Sequence, residues 1–175
     1  VTPSGARQHA LLSGVTVSAS GGTAPVEGVN APIQLKNITW SASGHATADV
    51  YAHVTGSADT IDVHLGIGNA TGATFTSSLP SGWTVLSNPF DGQLLISGYS
   101  LTPMNAGDYK IGSISFETGV ASQMRLGVDS GTSVGGIDAT PYGYTLAHDT
   151  TSANGSYTMS PIDPGTYAVT ATRST

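Results

Sequence analysis

The residue types that most often perform catalysis are sparse in this chain and lack the spacing that catalysis requires. None of the five histidines belongs to a His-x-His pair or a His-Glu-x-x-His run of the kind that binds a metal. A glycoside hydrolase needs two facing carboxylates, and no spacing pairs the nine aspartates or the two glutamates. We therefore predict that the chain is not an enzyme and has no catalytic residue.

One serine has the neighbours of a catalytic nucleophile. Gly131-Thr-Ser133-Val-Gly135 fits the Gly-x-Ser-x-Gly pattern, in which the serine lies between a strand and a helix. Residues 136–141 contain glycine and proline and cannot begin a convincing helix. We interpret the match as a chance one in a chain rich in glycine and serine.

Several aspartates carry the hard oxygen atoms that calcium prefers, namely Asp59, Asp62, Asp129 and Asp138. No EF-hand loop or RTX nonapeptide is present, and aspartate is common in turns for its own backbone hydrogen bonds. We predict no metal and no cofactor, with calcium as the alternative.

Three aromatic residues are candidates for stacking against a glycan: Trp83, Tyr142 and Tyr144. The two tyrosines lie two positions apart, so one strand would place both on one face. Packing in the core is the alternative, because aromatic side chains serve that purpose more often.

Three sites fit the N-glycosylation pattern Asn-x-Ser/Thr. They are Asn37-Ile-Thr39, Asn69-Ala-Thr71 and Asn154-Gly-Ser156. The pattern has meaning mainly in a secreted protein. Asn154 lies in a predicted turn, so we expect it to be the most accessible of the three.

The composition favours the outside of the cell. Charged residues make up 9% of the chain, against roughly 25% in ordinary soluble domains. There are five lysines and arginines and a net charge of −6, which argues against binding to nucleic acid or anionic lipid. No apolar run approaches the roughly 20 residues of a membrane span. Because the chain begins at Val1 without Met, we expect a secreted, extracellular or cell-surface protein whose signal peptide has been removed.

Strand patterns recur along the chain, whereas Gly, Pro, Ser and Thr interrupt every window long enough for a helix. The patterns predict an all-β, antiparallel β-sandwich of the jelly-roll or cohesin-like kind, with a short C-terminal β-hairpin unit. Gly135-Gly136 predicts a boundary between a sandwich at 1–134 and a small unit at 135–175. Strands are predicted at 11–18, 33–40, 47–54, 60–67, 93–97, 109–116, 123–128, 143–148, 156–159 and 166–172.

Two segments resemble known families. Residues 47–131, with Ala58-Asp-Thr-Ile-Asp-Val-His-Leu-Gly-Ile67 and Tyr109-Lys-Ile-Gly-Ser-Ile-Ser-Phe-Glu117, resemble the cohesin-like β-sandwich family. Residues 144–172, with Asn154-Gly-Ser-Tyr157 and Pro164-Gly-Thr-Tyr-Ala-Val169, resemble the last strands of carboxypeptidase-regulatory-like surface modules. The resemblance implies spacer, adhesion or glycan-binding roles and no catalytic residue.

These observations predict a non-catalytic extracellular structural protein, a subunit of a filament, sheath or surface layer. Its mechanism would be strand pairing between copies of the chain, giving a homo-oligomer or polymer. The terminal unit has few strands and open edges, and a neighbour's strand could complete it. The candidate donor strand contains Val15 and Val17. The alternative is an adhesion module that binds a carbohydrate or, in the manner of cohesins, a protein.

Overall fold

The computed structural model describes residues 15–22, 31–41, 43–121, 123–150 and 166–173, with side chains for 31–41, 43–121 and 123–145. These residues form strands and turns, and no helix among them is long and apolar enough to cross a membrane. The strands are β1 (Val15–Gly22), β2 (Ile33–Trp40), β3 (His45–Gly66), β4 (Thr71–Ser77), β5 (Trp83–Phe90), β6 (Gln93–Glu117), β7 (Gln123–Val128), β8 (Ser133–Val134), β9 (Ile137–Asp138), β10 (Tyr142–Thr150) and β11 (Thr166–Arg173).

The architecture is an all-β antiparallel sandwich, as the strand spacing predicts. Its main path runs β11-β1-β10-β7-β3-β6-β4, with β2 and β8 added to β3, β5 added to β6, and β9 paired with β8. The strands β3 and β6 are 22 and 25 residues long, and they pair with each other over most of that length. One half of this pair carries β2 and β4, and the other half carries β5, β7 and β8.

Irregular pairing bends the two long strands between the layers. The register of β3 against β6 shifts between Val54 and Ser57 and again between Ala58 and Thr60. An extra residue in one strand bends it and alters its alternation of faces. Even-numbered residues of β3 are buried from Ala46 to Val54 and again at Ala58, and odd-numbered residues are buried from Ile61 to Leu65. One continuous strand can therefore direct apolar side chains into the same core from both halves.

The core is contiguous and is made mainly of aliphatic side chains. Burying such side chains is the dominant stabilising contribution in a fold of this size. Its largest fully buried members are Phe116, Ile33, Leu65, Leu94, Ile96, Ile111, Ile114, Met124, Leu126, Val50, Val63 and Val128.

The predicted boundary at Gly135 and Gly136 is occupied by a tight turn. Both glycines have positive φ, 56° and 77°, and they connect β8 to β9 as a hairpin. Beyond this turn, β10 pairs with β7 and so continues the same sheet. The division into units at 1–134 and 135–175 stays a prediction, and the strand predicted at 156–159 lies outside the described residues.

The N-terminal strand lies among the C-terminal strands. β1 pairs antiparallel with β10 along one edge, from Thr16 opposite Thr150 to Gly21 opposite Thr145. Along its other edge it pairs with β11 over its full length. We call the space between β10 and β11 the strand slot. In this structure the chain's own β1 occupies it.

The Tyr142 side chain joins the two layers. Its hydroxyl accepts a hydrogen bond from the Leu35 backbone N–H at 3.0 Å and donates one to the Ile33 carbonyl at 3.1 Å. Both partners belong to β2, which pairs with β3 alone, so the hydroxyl satisfies backbone groups on the other edge of β2. Burial raises the pKa of Tyr142 to about 12, with the Leu35 hydrogen bond opposing that rise. The ring is 6% exposed, so this contact is inside the core.

We expect Tyr142→Phe to lower the free energy of unfolding by about 1–3 kcal/mol, because it leaves a buried N–H and a buried carbonyl without a partner. The measurement is urea unfolding followed by tryptophan fluorescence. Tyr144→Phe on the same strand is the control, and it should change the value by less than about 0.5 kcal/mol. Equal losses in the two variants would contradict the role given to the Tyr142 hydroxyl.

Candidate functional site

A cavity opens where the ends of β3 and β7 meet the start of β10. Three glycines lie side by side across these strands: Gly143 of β10 pairs with Gly127 of β7, and Gly127 pairs with Gly66 of β3. On the next strand, Gln93 of β6 pairs with Gly66. The cavity has a volume of about 700 Å³, and we call it the glycine cleft. Its floor is backbone because these three positions carry no side chain.

The floor leaves no room for larger residues at two of these positions. A Cβ atom on Gly66 would lie 2.9 Å from both carboxylate oxygens of Asp129. A Cβ atom on Gly127 would lie 2.8 Å from the carbonyl oxygen of Tyr142. The first contact could be relieved by a side-chain movement, whereas the second is with backbone. Glycine at Gly66 therefore lets the Asp129 carboxylate lie over β3, and glycine at Gly127 allows the close approach of β10 to β7.

Polar side chains form the walls of the glycine cleft. The Gln93 side chain donates a hydrogen bond from Nε2 to Asp129 Oδ2 at 2.5 Å. Arg125, Asn69 and Asp91 also line the cavity. Asp91 has a φ of 47° in the turn that joins β5 to β6, a conformation that aspartate tolerates better than most residues. The walls thus offer hydrogen-bond donors and acceptors from four separate segments.

The three predicted stacking residues do not form one platform. Tyr142 is buried and hydrogen-bonded to β2, and its role in glycan stacking stays a prediction. Tyr144 is half-buried and meets Tyr142 edge to face, with ring centroids 6.0 Å apart and planes at 88°. Trp83 packs partly against the core at the start of β5, the end of that strand remote from Asp91 and the cleft.

The glycosylation candidates differ in their surroundings. Asn37 has a φ of 51° and donates a hydrogen bond from Nδ2 to Asp49 Oδ2 at 2.9 Å. Asn69 is exposed, and it lines the glycine cleft. Asn154 lies outside the described residues. Of the two described candidates, Asn69 is therefore the one beside a cavity.

The serine pattern does not form a nucleophile elbow in the described chain. Ser133 lies on β8 opposite Asp62, and the turn at Gly135 and Gly136 follows it where a helix would be needed. Nearby, Ser97 donates a hydrogen bond to Asp62 Oδ1 at 2.9 Å, and His64 Nε2 lies 3.6 Å from the same oxygen. Ser97 bonds to the Asp62 carboxylate and not to the His64 imidazole. His64 therefore cannot take the proton of Ser97 as the histidine of a catalytic triad does.

The aspartates named as calcium candidates do not converge. Asp62 contacts Ser97 and His64, and Asp129 contacts Gln93. Asp59 and Asp138 are exposed. Within the described ranges, no group of three or more His, Cys, Asp and Glu side chains could hold a metal ion.

A different aspartate, Asp49, is the centre of a polar cluster that sequence reasoning missed. It accepts hydrogen bonds from Lys110 at 2.7 Å, from Ser113 at 2.7 Å and from Asn37 at 2.9 Å. The hydrogen bond from Lys110, followed by those from Asn37 and Ser113, lowers the pKa of Asp49 to about 2. The partners come from β2 and β6 on either side of β3, so only the register of the sheet reveals the cluster.

An exposed apolar surface lies on the β5–β6 hairpin. Leu86, Phe90, Tyr99 and Leu101 are 71%, 64%, 58% and 99% exposed. Thr84 pairs with Tyr99, and Leu86 pairs with Ser97, so Leu86 and Tyr99 are diagonal neighbours on one face. We call these four residues the apolar ridge. Single exposed apolar residues are ordinary, whereas these four lie on one hairpin.

Comparison with solved structures gives a likeness to the cohesin module of a family 33 glycoside hydrolase from Clostridium perfringens ATCC13124. The identity is 11%, the TM-score is 0.49, and the match covers 65% of this chain and 93% of that module. No protein-family model matches the chain, and no curated protein matches it. At this level the likeness carries no inference about a ligand or partner. The resemblance of 144–172 to carboxypeptidase-regulatory-like modules finds no support among these comparisons.

The Asp49 cluster predicts a dependence of stability on pH. The pKa of Asp49 is lowered from 3.8 to about 2 on folding, so its ionised form stabilises the fold above about pH 3.8, and this contribution is lost as the pH falls towards 2. We expect Asp49→Asn to cost on the order of 1 kcal/mol at neutral pH and much less near pH 2. Chemical unfolding at both pH values measures the difference.

Asp59→Asn is the matched control, because Asp59 is an exposed aspartate on the same strand. It should change the free energy of unfolding by less than about 0.5 kcal/mol at neutral pH. A deficit in Asp49→Asn that stays constant between the two pH values would show that ionisation of Asp49 is not its cause.

Proposed function

We propose that this chain is a non-catalytic extracellular structural subunit that assembles into a filament, sheath or surface layer by pairing β-strands between copies. The observation that carries the proposal is the position of β1. It is inserted between β10 and β11, which lie more than a hundred residues further along the chain.

The strand slot requires an inserted strand but not a strand from the same chain. β1 is connected to β2 through residues 23–32, and it pairs with β10 and β11 alone. A β1 strand from a neighbouring copy could form the same backbone hydrogen bonds with β10 and with β11 as the chain's own β1. Exchange of an identical element between copies is therefore a low-cost route to assembly.

If each copy donates its β1 to the next copy, the assembly has two free ends and can grow. A copy that donates β1 to one neighbour has an empty slot for the β1 of another neighbour, so the contact is head-to-tail. Head-to-tail contacts extend into filaments when the rotation between copies does not close a ring. In addition, β11 is the last strand on the path of the sheet among the described residues, and a terminal strand offers its outer edge for pairing.

The composition supports close packing of copies. Only 9% of the residues are charged, so an interface between copies would remove few ions from water, which is the costly part of burying a polar surface. Serine, threonine and glycine supply most of the remaining surface.

Two single-cysteine variants test the proposal, since the chain has no cysteine of its own. Ala19 of β1 pairs with Ala147 of β10, and such a pair has a Cα separation of about 4.5–5.5 Å, which a disulfide can bridge. Ala19→Cys and a tagged Ala147→Cys protein are unfolded, mixed, refolded and oxidised. A disulfide-linked heterodimer on a non-reducing gel is expected if β1 enters the slot of another copy.

Ala106→Cys replaces Ala147→Cys in the control mixture. Ala106 is exposed on β6 and pairs with no residue of β1, so it should give far less heterodimer. The Ala19→Cys/Ala147→Cys double variant should form a ladder of linked copies. If it forms only monomers with an internal disulfide, and the single variants never cross-link, strand exchange between copies is wrong.

A second function, an adhesion module that binds a protein partner, is favoured by the apolar ridge. Light scattering over a range of concentrations separates the two functions. A chain that stays monomeric throughout would exclude the polymer and favour the binding module. Growth of the particle mass with concentration, abolished by deleting residues 1–22, would favour strand exchange.

A further inference from the structure

The glycine cleft has the features of a small-molecule site. Its volume of about 700 Å³ is within the range of about 300–1,000 Å³ typical of such sites. It is formed by β3, β7, β10 and two turns, at Gly68–Asn69 and at Asp91–Gly92. Most of these segments belong to the main sheet, so the cleft is held by a rigid scaffold.

The floor of the glycine cleft is formed by backbone. Gly127 pairs with Gly66 on one side and with Gly143 on the other, so these backbones belong to the hydrogen-bonded ladders of the sheet. The Asp129 carboxylate lies over Gly66, whereas Gly127 and Gly143 present mainly Cα–H groups without side chains towards the cavity. A flat ring with an apolar face can lie directly against such a surface.

The walls of the cleft carry both hydrogen-bond donors and hydrogen-bond acceptors, and side chains of both charges. Arg125 can only donate hydrogen bonds, Asp91 and Asp129 can only accept them when ionised, and Asn69 and Gln93 can do both. An anionic ligand would lie next to two carboxylates, and a cationic ligand would lie next to a guanidinium. Hydroxyl groups donate and accept, so a neutral polyhydroxylated ligand matches this lining better than an ion of either sign.

We propose that the glycine cleft binds a pyranose ring of a neutral saccharide. The ring would lie on Gly127 and Gly143, with its hydroxyls directed at Arg125 and at Asp129, whose carboxylate lies over Gly66. This inference does not depend on strand exchange. The saccharide could be a free molecule or the first sugar of a glycan attached to Asn69, because that residue is exposed in an Asn-x-Thr pattern and lines the cleft.

The first arm of the test uses unglycosylated protein and free sugars. A glycan array of neutral saccharides is followed by NMR titration with each saccharide that binds, observing backbone amides. We expect shifts centred on Gly66, Gly127 and Gly143. Gly66→Ala should weaken binding about tenfold or more, corresponding to about 1.4 kcal/mol, because the new methyl group occupies the floor or displaces Asp129.

Gly56→Ala is the matched control for this substitution. Gly56 lies on the same strand, and a Cβ atom there would have no neighbour within 4 Å, so binding should be unchanged. If Gly66→Ala does not fold, Arg125→Gln replaces it, with the same expected loss of affinity. Shifts at a different surface, or equal binding by the cleft variants and the control, would overturn the proposal.

The second arm tests the attached source. The protein is secreted from cells that perform N-glycosylation, and mass spectrometry establishes whether Asn69 carries a glycan. If it does, the NMR chemical shifts of the Gly66, Gly127 and Gly143 amides should differ between this glycoprotein and the Asn69→Gln variant. If Asn69 is unmodified, the first arm alone decides. The proposal is wrong if the array gives no hit and the glycoprotein shows no difference at these amides.

Discussion

The fold depends on one ladder, the antiparallel pairing of β3 with β6. Every other strand is attached to this pair directly or through β7 and β8. The two strands can serve both layers only because their register shifts near Val54 and Ala58, which changes the set of alternate residues that faces the core. Without these shifts, one half of each strand would direct its polar residues inwards. The bulges are therefore the condition under which a single sheet closes over one core, and the Tyr142 hydroxyl then ties the two layers together at β2.

The strands that bury a large share of their residues could be predicted from the sequence. The predicted ranges 33–40 and 123–128 agree with β2 and β7, although the register of β2 shifts between Lys36 and Thr39. β3 and β6 were each predicted as two strands, because Gly56 and Ser57 in one and Pro103 and Gly107 in the other are typical turn residues. In the structure they occupy the bends. β4 and β5 were missed because they contribute few buried residues, and Pro89 is tolerated in β5 only because that strand pairs on one side.

The sites were less predictable than the strands, since each depends on which residues the register brings together. Spacing placed Tyr142 and Tyr144 on one face, but it could not show that this face points into the core. The three cleft glycines lie on three strands, and they form a floor only when the register of those strands is known. The Asp49 cluster likewise draws on β2, β3 and β6. The apolar ridge had no signal in the sequence, because exposed leucines such as Leu86 and Leu101 are the same residue type as the buried Leu94.

The insertion of β1 has a consequence for the order of events during synthesis. β1 is synthesised more than a hundred residues before both of its partners, β10 and β11. Contacts between residues so far apart in sequence form late. Among the described strands, β11 pairs with β1, so its place in the sheet depends on β1 having paired with β10. A newly made copy therefore has an interval in which β1 has been made and its partners have not. Under the proposed strand exchange, the local concentration of other copies during that interval would decide which slot β1 enters.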